Sequence, residues 1–227
     1  MADPLGRSGA RAPGVAVFAV SLAALLVPAA GFSPWLVAGP AGFAILALTL
    51  DAARFGGRGG HLLAETLPGG ERRLRRVAVH EAGHALVAEA EGLPVRRVLV
   101  GSLACLQAGL EAAGSTEFEP PASARLPLEE LRRWSRVLQA GMLAEQLVFG
   151  ESLGGADDRA LLGRLWGLSG HDVDTAQREQ RRARREVHQQ LRRDQERLQS
   201  RADALLAMAP RLLRPRPEAA PLPPEAA

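Results

Sequence analysis

The segment Val77-Ala78-Val79-His80-Glu81-Ala82-Gly83-His84-Ala85-Leu86-Val87 decides how the rest of the chain is read. It lies within Glu71 to Gly92, a run with few breakers that stops at Gly92, Leu93 and Pro94, so the spacing predicts a helix. Residues four apart on a helix project from one face a turn apart, which lets the imidazoles of His80 and His84 converge on a single metal ion. Zinc is the natural occupant. Glu81 then lies near the fourth coordination position, where its carboxylate can take a proton from water and pass it to a leaving amine. Such an arrangement suits peptide hydrolysis, and the apolar flanks would bury the helix and keep the site dry. Two histidines and a glutamate rarely fall at this spacing by accident in a chain with five histidines. The other three, His61, His171 and His188, form no comparable set and read as surface or packing residues.

A catalytic zinc site takes three protein ligands and leaves one position open. The third must come from elsewhere. Glu145, on the next predicted helix, and Asp157 or Asp158, at a later turn, are the candidates. Each has an ordinary alternative: a solvated helix face for Glu145, a helix cap for the two aspartates.

Around the motif the chain reads as mainly helical with a small β element. Val95, Val98, Leu99 and Val100 head a short, partly β-branched stretch, running to about Ala113, that suggests a strand or hairpin. Pro127 is placed to begin a helix through Leu131, Trp134, Leu138 and Met142 that Gly150 ends. Gly154 and Gly155 turn the chain into a helix started by Asp157 and Asp158 and carrying Leu161, Leu162, Leu165 and Trp166. A single long helix is expected from about Val173 to Met208, closed by Pro210, with Ala183, Val187, Leu191, Leu198, Ala202 and Leu205 as a narrow apolar stripe through a charged sequence. That stripe suits packing on the domain core; self-association and contact with anionic lipid are the alternatives. The proline-rich end, 213–227, reads as a disordered tail.

Bulk composition narrows the function classes. A hydrophobic share of 47% in 227 residues suits a globular or partly membrane-embedded chain. Arginine supplies all of the basic side chains, and most arginines of the second half are interleaved with Glu and Asp, which argues against nucleic acid as a partner. Without lysine the chain has no phosphate-binding-loop lysine for ATP. One cysteine, Cys105, excludes an intrachain disulfide framework and a cysteine-based zinc ribbon.

The N-terminal region is of another kind. No charged residue occurs between Arg11 and Asp51. At about 20 residues per crossing of a roughly 30 Å hydrocarbon core, this stretch is too long for one span and just enough for two. Gly31, Phe32, Ser33 and Pro34 would form the turn of a hairpin over 1–53, with spans near 13–30 and 35–50. Arginines flank the hairpin on both sides, at Arg7, Arg11, Arg54 and Arg58, and the turn has none, so both termini are expected to face the cytoplasm. A cleaved leader over the first segment is the alternative. The glycine-rich 54–70 reads as a linker to a domain over 71–212.

From roughly Arg72 to Leu212 the sequence resembles the peptidase domain of the FtsH-type membrane-anchored zinc proteases. His80 to Val87 stands in that family's usual wording, His-Glu-Ala-Gly-His-Ala-Leu-Val. Ala140-Gly141-Met142-Leu143-Ala144-Glu145-Gln146-Leu147-Val148-Phe149-Gly150 is similar to Gly-Gly-Arg-x-Ala-Glu-Glu-Leu-x-Phe-Gly. Leu153-Gly154-Gly155-Ala156-Asp157-Asp158 resembles Thr-Gly-Ala-Ser-Asn-Asp, whose last aspartate is the third zinc ligand, so the resemblance selects Asp158. It implies a helical zinc-metallopeptidase domain behind a transmembrane hairpin, with His80, His84 and Asp158 on Zn2+ and Glu81 as general base. The implied location is the cell membrane, multi-pass, with the peptidase domain cytoplasmic. The implied partners are the lipid bilayer, membrane-proximal or unfolded polypeptide substrates, further copies of the chain and a separate ATPase. Two departures stand out. The ATPase module that the family places between membrane and peptidase is replaced by the short linker, implying action without ATP or with a borrowed unfoldase. Met142 and Gln146 replace Arg and Glu, which bears on local packing and ring assembly. The competing class is a non-catalytic membrane adaptor that keeps the zinc-binding helix for stability.

Overall fold

A computed structural model describes residues 21–211 apart from 25, 56, 57, 122 and 124. The chain divides into two compact units that meet at Gly60 and His61.

In the first unit, residues 21–24 and 26–29 are helical and lead through a turn at Gly31 (φ 79°) into α1, Trp35–Phe55. Among the described residues one stretch, Trp35–Ala53, is long and apolar enough to cross a membrane, and none of it is buried. A core helix of a soluble domain would be covered. Much of the first expected span, 13–20 and residue 25, lies outside the described residues, as does the expected tail. The expected linker over 54–70 carries a helix, α2, Arg58–Thr66. Its first turn explains why the glycines did not break it: the Asp51 carboxylate accepts from the backbone N–H of Gly59 and Gly60 at 2.9 and 2.8 Å, satisfying donors that a helix start leaves orphaned.

The second unit is built on α3, Gly70–Glu91. Gly92 ends it in the left-handed region (φ 65°), its neighbour Leu93 donating back to the Ala88 carbonyl at 2.9 Å, and Pro94 prevents continuation. A two-stranded antiparallel sheet follows, β1, Val95–Val100, and β2, Gly114–Phe118, with Val98 opposite Thr116 and Val100 opposite Gly114. The sequence suggested a strand or hairpin ending near Ala113. The second strand instead begins there, because α4, Ser102–Gln107, fills the connection.

Helix α5, Leu128–Phe149, follows Pro127 and ends at Gly150 (φ 79°), as its turn residues predict. Helix α6, Ala156–Leu168, follows Gly155, and α7, Val173–Arg193, is capped by Asp172, whose side chain accepts from Thr175 N–H at 2.7 Å. The expected single helix to Met208 is broken at Asp194, after which α8 runs Gln195–Met208. The break falls where the chain changes partners: α7 packs on α5, α8 on α3 and β1. The apolar stripe is continuous across it, with Val187, Leu191, Leu198 and Ala202 all buried in one core with Val79, Ala82, Leu86, Val137 and Ala140. A second cluster joins α5, α6 and the start of α7 through Leu131, Trp134, Leu138, Leu162, Trp166 and Ala176, and the Trp166 indole donates to Ser135 Oγ at 2.9 Å.

Helices α3 and α5 cross without room for a side chain at Gly83. A Cβ there would stand 2.7 Å from the Ala144 Cβ and 2.8 Å from the Ala140 carbonyl oxygen. Valine at position 83 is therefore expected to destabilise the unit by about 1–3 kcal/mol through overpacking, read as a lower denaturant midpoint against the native chain.

Candidate metal centre

One turn of α3 presents three of the four groups the sequence singled out. His80, Glu81 and His84 are all buried. Both imidazoles are held through Nδ1. The His84 Nδ1 lies 2.7 Å from the Val137 carbonyl oxygen, which can only accept, so Nδ1 carries the proton. The His80 Nδ1 donates to Glu145 Oε1 at 2.7 Å. In each ring the remaining nitrogen, Nε2, is thereby left with its lone pair facing the site.

Those lone pairs meet each other and a carboxylate. The two Nε2 atoms are 3.1 Å apart, and Asp158 Oδ2, from the first turn of α6, stands 3.1 Å from one and 3.3 Å from the other. With neutral rings in these tautomers, three acceptors converge and no donor lies among them. A metal ion or an added proton would relieve that arrangement. Donors about 2.0–2.1 Å from a common tetrahedral zinc stand about 3.3 Å apart, so the observed spacing suits such an ion. His80, His84 and Asp158 form a group that could hold a metal, their ligand atoms all within 4.8 Å of one another.

Without an ion, a proton takes that place. Burial works against a charge on His80, but hydrogen bonds with Asp158 and Glu145 and the nearby Glu81 charge prevail and push it up to about 10. For Asp158 burial is likewise outweighed, and the two imidazoles hold its carboxyl well below the usual range.

Of the alternative third ligands, Glu145 is on the wrong side of the ring for Nε2. It orients His80 instead, and it is itself held by N–H donors from Leu153 at 3.0 Å and Gly154 at 3.3 Å and by the Arg76 guanidinium at 3.2 Å. Burial opposes its charge, yet His80, the Leu153 amide and Arg76 keep its carboxyl below the ordinary value. Arg76 also lies over the Phe149 ring, 4.6 Å from its centroid. Asp157 is exposed and belongs to no such group.

Glu81 faces the sheet. Its Oε2 accepts from Thr116 Oγ1 at 2.7 Å, and a Cβ at Gly114 would lie 2.6 Å from its Oε1. Burial raises its pKa, a shift that the two imidazoles and Thr116 partly oppose.

Several residues that build this site were not singled out in the sequence. Gly141 lies directly beneath it: a Cβ there would come within 2.4 Å of His80 Nε2 and 2.6 Å of His84 Nε2. A glycine costs about 1 kcal/mol in a helix interior, so its place in the middle of α5, like its match to the second glycine of the family segment, could have marked it. Thr116 and the Val137 carbonyl carry no comparable signal. Of the two departures from the family pattern, Met142 packs against Gly155 and its sulfur accepts from Arg159, and Gln146 accepts from Arg184 at 3.0 Å. Of the remaining histidines, His171 packs edge-on against Trp166, and His61 and His188 are exposed.

Without metal, the His80 and Asp158 shifts both stabilise the fold, with opposite dependence on pH. His80, raised in the fold, contributes fully below about pH 6.5, and that contribution is lost as pH rises toward about 10. Asp158, lowered in the fold, contributes above its unfolded value and loses the contribution in acid. Metal-free protein is expected to show a melting temperature that falls between pH 6.5 and 10, and the slope should be shallower in His80→Gln, with the raised Cys105 thiol contributing the remainder above about pH 9.

A segment of 86 residues, 37% of the chain, is 44% identical to the ATP-dependent zinc metalloprotease FtsH of Methylococcus capsulatus. The match covers 13% of that protein's length. No protein-family model matches the chain.

Proposed function

We propose that the chain is a membrane-anchored, zinc-dependent endopeptidase that acts without ATP or with a separate unfoldase. The observation that carries this reading is the convergence of two imidazole lone pairs and a carboxylate, with a buried glutamate beside them. The local identity to a zinc metalloprotease supports it.

His80, His84 and Asp158 would hold zinc, and Glu145 and the Val137 carbonyl would keep the two rings in the metal-binding tautomer. When bound, zinc supplies Lewis acidity that lowers the pKa of water and polarises an amide carbonyl. Glu81 would move the proton. Thr116 holds Oε2 and leaves Oε1 to accept a proton from the attacking water and return it to the departing amine nitrogen, with no covalent enzyme intermediate. Burial raises the affinity of this carboxylate for the proton, which helps it retain the proton until nitrogen can receive it. Among the described residues strand β2 has β1 on one side only, and its other edge could pair with an extended polypeptide beside Glu81, a substrate mode that favours unfolded chains. The apolar helix Trp35–Ala53 would tether the peptidase to the cell membrane, as one arm of a hairpin with both termini cytoplasmic.

The test is cleavage of an unfolded model protein by the detergent-purified full chain without ATP, together with its zinc content. Native protein is expected to cleave in a chelator-sensitive way, and Glu81→Gln to keep its zinc while losing about 10²–10⁴-fold in rate. Stoichiometric zinc with no cleavage by either form would leave the adaptor reading in its place. Two further variants separate roles. Thr116→Val should keep zinc and lower kcat about ten- to a hundredfold, the cost of one hydrogen bond to a charged group. Glu145→Gln should weaken zinc binding by about ten- to a hundredfold, measured by competition with a chromogenic chelator.

A further inference from the structure

Helix α7 buries Ala176, Ala183, Val187 and Leu191 and turns its opposite face outward. On that face stand Arg178, Arg181, Arg185, His188 and Arg192, all exposed and spaced three, four, three and four apart. At about 100° per residue they occupy a sector about 80° wide, and at about 1.5 Å per residue they span about 21 Å. Exposed charge on a helix is ordinarily balanced by carboxylates a turn away. Here the balance is directed elsewhere. Of the three carboxylates of α7, Glu179 is held by Arg132 of α5 at 2.8 Å, and Glu186 by Arg182 at 2.8 Å and by Arg136 at 3.4 Å. Asp174 alone shares the line of the stripe, in the first turn of the helix. Among the described residues, none of the four stripe arginines forms an ion pair; Arg178 and Arg181 donate only to neutral Thr175 and Gln177.

We infer that this stripe is a docking surface for anionic phospholipid headgroups. Charge complementarity between the arginines and an anionic surface supplies the attraction. Guanidinium forks fit phosphate oxygens. The same chain carries a helix long and apolar enough to cross a bilayer, and the inference rests on the proposed role of that helix as a membrane tether, which would make a lipid surface available to the stripe without a separate encounter. Nucleic acid fits less well. Helix α7 has no Phe, Tyr or Trp on which a base could stack, and His188 is its single ring. The inference does not depend on zinc or on peptidase activity.

The test uses the full chain with a Gln189→Cys substitution bearing an environment-sensitive fluorophore, reconstituted in nanodiscs of phosphatidylcholine alone or with phosphatidylserine. The expected result is a blue shift in the anionic discs that added salt reverses. It should be lost, with at least about a tenfold fall in the docked fraction, when Arg178, Arg181, Arg185 and Arg192 are all glutamine, and be retained when all four are lysine. Equal spectra in the two lipids, or a shift that survives the glutamine variant, overturns the inference. So does salt-sensitive binding of a DNA or RNA oligonucleotide by the native chain without any lipid-dependent shift, which would assign the stripe to nucleic acid.

Discussion

The close approach of α3 and α5 is the constraint from which the rest of the second unit follows. Two glycines make it possible, Gly83 on the first helix and Gly141 on the second, each with no room for a methyl group. Only at that separation can the His84 Nδ1 reach a main-chain carbonyl inside α5, and only there can Glu145 of α5 receive the His80 Nδ1 proton. A wider crossing would leave both rings free to rotate, and the two Nε2 atoms would not stay face to face. The packed core is thus also the device that fixes the tautomers.

Charge is handled by the same economy of placement. A carboxylate as deeply buried as Glu145 is unfavourable unless several donors surround it. Two backbone amides, one guanidinium and one imidazole do so here. Arg76 in turn is steadied by the Phe149 ring and by Glu151, so the chain of support runs from the surface to the imidazole in three contacts.

Much of this was legible in the sequence because it is local. The helical spacing of His80 and His84, the stops at Gly92 and Gly150 and the start after Pro127 follow from rules that span a few residues. What could not be read depends on partners far along the chain. The geometry that distinguishes Asp158 from Asp157 and Glu145 is tertiary, and before the fold only a family resemblance separated them. Helix α2 was hidden because its glycines signal a linker, whereas the carboxylate that supports its start lies in the preceding helix at Asp51. The break at Asp194 leaves the apolar stripe unbroken, so periodicity alone could not register it. Thr116 sits in a short strand of mixed residues whose importance comes only from facing Glu81.

The separation of Asp158 from His84, 74 residues along the chain, has a consequence for biosynthesis. At about 5–20 residues per second, the two histidines are joined to the nascent chain roughly 4–15 seconds before the aspartate. During that interval the pair can offer a passing cation only two nitrogens, a weak and unselective grip. In the proposed zinc site the choice of ion would therefore be deferred until α6 docks, when Asp158 would complete the ligand set and the cell's free metal pool, rather than the first encounter, would decide what is retained.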